Sequence, residues 1–140
     1  MTPEEIKAKY FQIADVWSTG NVAALDEVCA ANLVFHLAPF PDMNLDGVKQ
    51  FMGGFHMAFP DFHGTIDEDI VAGNTSVHRW IVSGTYTGQS PLLPVPPTGK
   101  LAKVPGCTVV HWEGGKAVEI WQYGDWLGWF QQLGIIPAFG

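Results

Sequence analysis

Residues 62–88 read FHGTIDEDIVAGNTSVHRWIVSGTYTG. Two β-prone runs, 62–72 and 76–88, flank Gly73-Asn74, a pair that tolerates the positive φ of a tight hairpin turn. The same arrangement recurs downstream, where runs 100–113 and 116–126 flank Gly114-Gly115 and a Pro-rich loop joins the two hairpins. This half of the chain predicts an antiparallel meander.

The first half has a helical period. Ile6, Tyr10, Ile13, Ala14 and Trp17 fall three and four apart, with Thr2 placed to cap, Pro3 at the first helical position, Glu5 completing a capping box and Gly20 as the stop. Asn21 predicts the cap of a second short helix to about Ala31. A strand over 33–38 is ended by Pro39 and Pro41. Asp46 predicts the cap of a third helix carrying Val48, Phe51, Met52, Phe55 and Phe59, in which Gly53 and Gly54 each cost roughly 1 kcal/mol relative to Ala. Helices followed by long antiparallel strands predict one α+β domain over 1–140, with helices on one face of a strongly bent sheet. Trp80, Val82, Val110, Trp112 and Trp121 make the strands too apolar for both faces to meet water, which predicts a homodimer through the sheet. Loop 89–99 combines four prolines with Leu92, Leu93 and Val95, and reads either as a flap over a pocket mouth or as a loop packed on the core.

Composition narrows the function. The net charge of −7, with one Arg and six Lys, removes the attraction that dominates nucleic-acid binding. No apolar run approaches the ~20 residues that span a bilayer, and Met1 to Glu5 lacks the features of a secretory signal, so a cytoplasmic protein without membrane contact is expected. Aromatic residues make up 13% of the chain, suited to a packed core or to the walls of an apolar pocket. Cys29 and Cys107 have no metal or redox spacing and read as buried apolar residues. His36, His56, His63, His78 and His111 show no ligand spacing with other donors, so neither metal nor cofactor is expected. Asp67-Glu68-Asp69 reads as a solvated strand end or edge guard. No nucleophile elbow or phosphate loop is present.

Several blocks carry a family look: Phe59-Pro60-Asp61-Phe62-His63 followed by Thr65-Ile66; Arg79-Trp80 with Gly84-Thr85; Pro96-Pro97-Thr98-Gly99-Lys100; and Gly115-Lys116 with Glu119, Trp121 and Asp125 before Gln132-Leu133-Gly134. In order and spacing, over essentially the whole chain, they resemble the SnoaL-like polyketide cyclases. The resemblance implies the nuclear transport factor 2-like cone fold, a deep pocket, and intramolecular aldol ring closure of an aromatic polyketide ester without metal or coenzyme. It also implies an Asp general acid/base, here Asp125, partnered by a His on the preceding strand, here His111.

The residues themselves leave alternatives open. Asp125 sits among Trp121, Trp126, Trp129 and Phe130, where desolvation would make a carboxylate a better base, and it is equally placed to cap a helix starting at Trp126. His111 lies on an otherwise apolar strand, where a histidine is either catalytic or a satisfied core residue. A two-residue hairpin would put His111 and Asp125 on opposite faces of the sheet, whereas one bulge would bring them onto one face. His36, Tyr10, Trp17, Phe55 and Tyr123 are candidate pocket walls, with core packing as the other role. The expected partner is a hydrophobic carbonyl compound. Isomerisation, dehydration, epoxide opening or hydroxylation on the same fold, and a non-catalytic binding module, are the alternatives.

Overall fold

The computed structural model describes residues 1–138. Helix α1, Pro3–Thr19, starts with the expected capping box: Thr2 Oγ1 accepts from the Glu5 amide at 3.1 Å while Glu5 reaches back to the Thr2 amide. It ends at Gly20, whose φ of 73° is the left-handed conformation that glycine adopts without strain. The second helix is shorter than its sequence suggests. A 3₁₀ turn, Val22–Ala24, leads to one α-turn, α2, Leu25–Val28, and strand β1, Cys29–His36, begins at once. Cys29, Leu33 and Phe35 are buried there, and β1 pairs in parallel with the last strand. Long-range pairing thus overrides the helical preference of Ala30 and Ala31. Helix α3, Leu45–Ala58, is capped by Asn44 rather than Asp46, the Asn44 side chain accepting from the Gly47 amide at 2.8 Å.

The remaining strands are β2, His63–Ala72; β3, Thr75–Thr85; β4, Leu101–Glu113; and β5, Lys116–Gly124; helix α4, Trp126–Gln132, follows. The sheet order is β1-β5-β4-β3-β2, antiparallel except for β1 on β5. Helices α1 and α3 fill the concave side of this curled, unclosed sheet, giving the expected α+β cone. Strand β3 shows how the curl is filled: Ser76, His78, Trp80, Val82 and Gly84 point inward and are buried while their neighbours point out. Trp80 lies across Gly106 and Gly124, which face each other on β4 and β5; a Cβ on Gly106 would stand 2.2 Å from its ring.

Of the five residues behind the expected second subunit, Trp80, Val82, Val110 and Trp112 face the core, and Trp121 alone faces out. The convex side nevertheless carries a cross-strand row, Ile70, Val77, Val109, Trp121 and His36, each beside the next on adjacent strands. Loop 89–99 is packed down. Ser90 is buried and donates to the Gly54 carbonyl at 2.7 Å, Leu92 sits over Gly54, and the Tyr86 hydroxyl donates to the Val95 carbonyl. Both cysteines are free thiols, Cys29 buried and Cys107 half-buried. No helix among the described residues is long and apolar enough to cross a membrane.

Candidate active site

Between α1 and the concave side of β2 and β3 lies a cavity of about 490 Å³, within the usual range for small-molecule sites. Tyr10 and Trp17 from α1, Phe55 from α3, Phe62, Trp80 and Val82 form its apolar walls, Gln122 of β5 and Trp126 of α4 line it as well, and Asp69 of β2 supplies a carboxylate. Lys7, Asp15 and His63 also border it. A smaller void of about 30 Å³, walled only by apolar residues, lies under Leu92 and Leu93 of the packed loop and shares Trp17, Phe55 and Trp126 with the large one. The loop therefore covers this side chamber.

Asp69 reaches the cavity because of a bulge. Ile66 pairs with Trp80 and Glu68 with Arg79, so Asp67 is the extra residue on β2. Strict alternation from the inward Ile66 would turn Glu68 in and Asp69 out; the bulge reverses this and sets Asp69 directly opposite His78. Asp69 Oδ1 is 2.5 Å from His78 Nδ1, and His78 has no solvent exposure. The other ring nitrogen, Nε2, is 2.8 Å from Ser76 Oγ, which accepts from the Trp112 indole at 2.8 Å. Tyr10 stacks on His78 with ring centroids 3.5 Å apart and planes at 1°. The Tyr10 hydroxyl meets Thr108 Oγ1 at 3.1 Å, and Thr108 also accepts from the Trp80 indole at 2.9 Å.

Burial governs the protonation of these groups. It pushes the Tyr10 phenol up to about 12, so Tyr10 stays neutral. It pushes the His78 imidazole below its ordinary value, an effect that Asp69 opposes without reversing. The arrangement is a half-sheltered carboxylate on the wall of an aromatic cavity, backed by a neutral histidine. Such a group can take a proton from a substrate and return it. Among the described residues no three His, Cys, Asp or Glu side chains gather as a metal site would require.

The structure does not bring Asp125 and His111 together. Asp125 is exposed, and its Oδ1 caps α4 by accepting from the Gly128 amide at 2.8 Å. His111 is exposed on the convex side, its ring edge-on to Trp121. A bulge between His111 and Trp112 does place His111 on the same face as Glu119 and Trp121. However, His111 pairs with Glu119, and Asp125 lies six residues further on, roughly 20 Å away at ~3.3 Å per residue. His36 is likewise convex-side, between Asp42 and Glu119 and stacked on Trp121, and Tyr123 is 54% exposed. Of the sequence candidates, Tyr10, Trp17 and Phe55 line the cavity; Asp125, His111, His36 and Tyr123 do not.

Asp69 read from the sequence as part of a solvated strand end or edge guard and His78 as a histidine without ligand spacing, whereas the structure puts Asp69 on the cavity bonded to His78; Ser76 and Thr108 were not singled out. Asp69 and His78 are equidistant from the Gly73-Asn74 turn, a signal that names them as cross-strand partners; which face they share is set by the bulge, and no residue type marks that bulge.

The model of the SnoaL-like polyketide cyclase family matches residues 9–133. No curated protein matches the chain. Among solved structures, a candidate polyketide cyclase from Acidithiobacillus ferrooxidans is 29% identical with a TM-score of 0.78, covering 93% of this chain and 94% of that one. AclR, a candidate hydroxylase from Streptomyces galilaeus, is 19% identical with a TM-score of 0.84, covering 99% of this chain and 87% of its own. A Catenulispora acidiphila protein with a ketosteroid isomerase-like fold, solved with trimethylamine, is 19% identical with a TM-score of 0.75, covering 100% and 99%. These last two show the shared fold. The family match runs from within α1 to the residue after α4 and takes in all five strands, so the chain belongs to the SnoaL-like polyketide cyclases.

Proposed function

We propose that this protein is a small acid/base enzyme that closes a ring within a hydrophobic carbonyl substrate by an aldol-type step, with Asp69 as the general acid/base. The observation that carries the reading is the Asp69 carboxylate on the wall of the aromatic cavity, bonded to the buried His78. The family and its fold support a pocket enzyme; the reaction and the choice of Asp are the proposal. Asp69 takes a proton from the carbon between two carbonyls. The resulting enolate carbon attacks a second carbonyl carbon of the same molecule, forming a C–C bond, and the new alkoxide recovers the proton from Asp69. Nothing leaves and no electrons are exchanged with a cofactor. Gln122 offers an amide N–H to the enolate oxygen, and Trp17, Phe55, Phe62 and Trp80 hold the apolar framework.

A non-catalytic pocket for an apolar metabolite is the second reading, and the exposed, capping Asp125 is the observation on its side. The test is deuterium exchange into an aryl β-keto ester in D₂O, followed by NMR. Asp69→Asn should slow protein-catalysed exchange by about 10² to 10⁴, with Asp125→Asn close to the parent. The reverse pattern would return the chemistry to Asp125. Binding of the ester without catalysed exchange in the parent would favour the carrier.

We also propose that two copies associate through the convex row of Ile70, Val77, Val109 and Trp121, and that the protein works in the cytoplasm.

A further inference from the structure

The polar chain behind Asp69 has a direction. An indole N–H can only donate, and that of Trp112 is 2.8 Å from Ser76 Oγ. Both residues are buried, so no water competes for the contact. With its oxygen accepting from Trp112, Ser76 has its own proton to give, and His78 Nε2 at 2.8 Å is in line to receive it. An imidazole that accepts at Nε2 and is neutral carries its proton at Nδ1, and Nδ1 faces Asp69 Oδ1 at 2.5 Å.

The opposite order fails on the same geometry. If His78 donated from Nε2, Ser76 Oγ would accept from both neighbours and its own buried proton would be left without an acceptor, while a bare Nδ1 lone pair would face the Asp69 carboxylate. That contact would be attractive only if Asp69 were protonated, and so unable to act as a base. Tyr10, stacked face to face on His78, is directed by its hydroxyl to Thr108 and offers the imidazole no hydrogen bond.

We infer that Trp112 and Ser76 lock His78 as the neutral Nδ1–H tautomer, which holds Asp69 as a carboxylate accepting on Oδ1 and turns its other oxygen to the substrate. The inference rests on the reading of Asp69 as the base and names what orients it. Ser76 and Trp112 are positioning residues: they lie behind His78, touch no cavity space, and act through two hydrogen bonds in series. His78 is not itself a base toward substrate, because both its nitrogens are occupied and buried.

The test is ¹⁵N NMR of the whole protein labelled at histidine. In the parent at about pH 7, His78 should show a protonated, pyrrole-type Nδ1 and an unprotonated, pyridine-type Nε2. An Nε2–H tautomer or an imidazolium would overturn the proposal, and this measurement needs no variant. Trp112→Phe keeps an aromatic side chain but removes the donor, so the Ser76 proton is no longer directed to Nε2; a mixture of tautomers should appear, with kcat for exchange lower by about tenfold and KM unchanged. Ser76→Thr, which keeps the hydroxyl, should restore both the single tautomer and the rate relative to Ser76→Ala. A Trp112→Phe protein that folds and keeps one Nδ1–H form would also overturn it. Failure of the base assignment reads differently: Asp69→Asn would exchange normally while the parent spectrum still showed the Nδ1–H form.

Discussion

His36 bonds carboxylates through both ring nitrogens, Asp42 at 2.8 Å and Glu119 at 2.7 Å. A neutral imidazole has one N–H, so both contacts attract only when the ring is charged, and its pKa is held above the ordinary value by Glu119 first and Asp42 after it. His78 goes the other way, pushed down by burial. The linkage signs are therefore opposite. With an unfolded value near 6.5, the stabilisation from His36 is fully present below that pH and is lost as pH rises through the folded value. For His78 the unfolded chain binds the proton more readily, so stability falls as pH drops below about 6.5. Urea unfolding of the parent and of His36→Gln across this range is the check: the variant should lose the decline on the alkaline side and keep the one on the acid side. Identical alkaline limbs would show that the two carboxylates do not act on His36. At this scale the sequence was readable in part. The alternation of residues 33–38 was visible but not its phase: Leu33, Phe35 and Leu37 are the buried residues, so His36, a candidate pocket wall from the sequence, turns outward instead. Asp125 was recognisable as a cap from the helix that follows it. Asp69 was hidden, because a single extra residue at position 67 decides which way its side chain turns.

Among the elements, the hairpins were plain in the sequence because their turns and periods are local properties. The short second helix and the cap of α3 were not, since pairing with β5 decides the first and Asn44 competes with Asp46 for the second. The glycines of α3 differ in their surroundings. A Cβ on Gly53 would meet nothing within 4 Å, whereas one on Gly54 would rest 3.5 Å from Leu92 and Ser90. Gly53→Ala should therefore stabilise the protein by about 0.5–1 kcal/mol, measurable as a higher urea midpoint at unchanged slope. Gly106→Ala should do the opposite. Its Cβ would lie 2.2 Å from Trp80 and 2.5 Å from the Tyr123 carbonyl, so the indole must leave its slot. A loss of about 1–3 kcal/mol is expected, together with weaker ester binding, because the same indole forms the cavity wall. A variant as stable as the parent would mean that the sheet yields there instead.

For the molecule as a whole, the proposed association rests on the convex row. Ile70 is 52% exposed and Ile81 36% on that side, and charged residues border rather than fill the row. Sedimentation at micromolar concentration should give a dimer, and Trp121→Glu or Val109→Glu should give a monomer with its far-ultraviolet spectrum intact. A monomeric parent would remove the association. The cone and its five strands could be read from period and turns, but which apolar residues face out could not, since four of the five aromatic and branched residues that suggested a second subunit are core.

The cavity is bounded by α1 and the concave side of the sheet, whereas the convex row belongs to the opposite side. A pair joined back to back would leave both entrances free and share no wall between them. Each half should then fill without sensing the other, giving a hyperbolic saturation curve with a Hill coefficient of about 1.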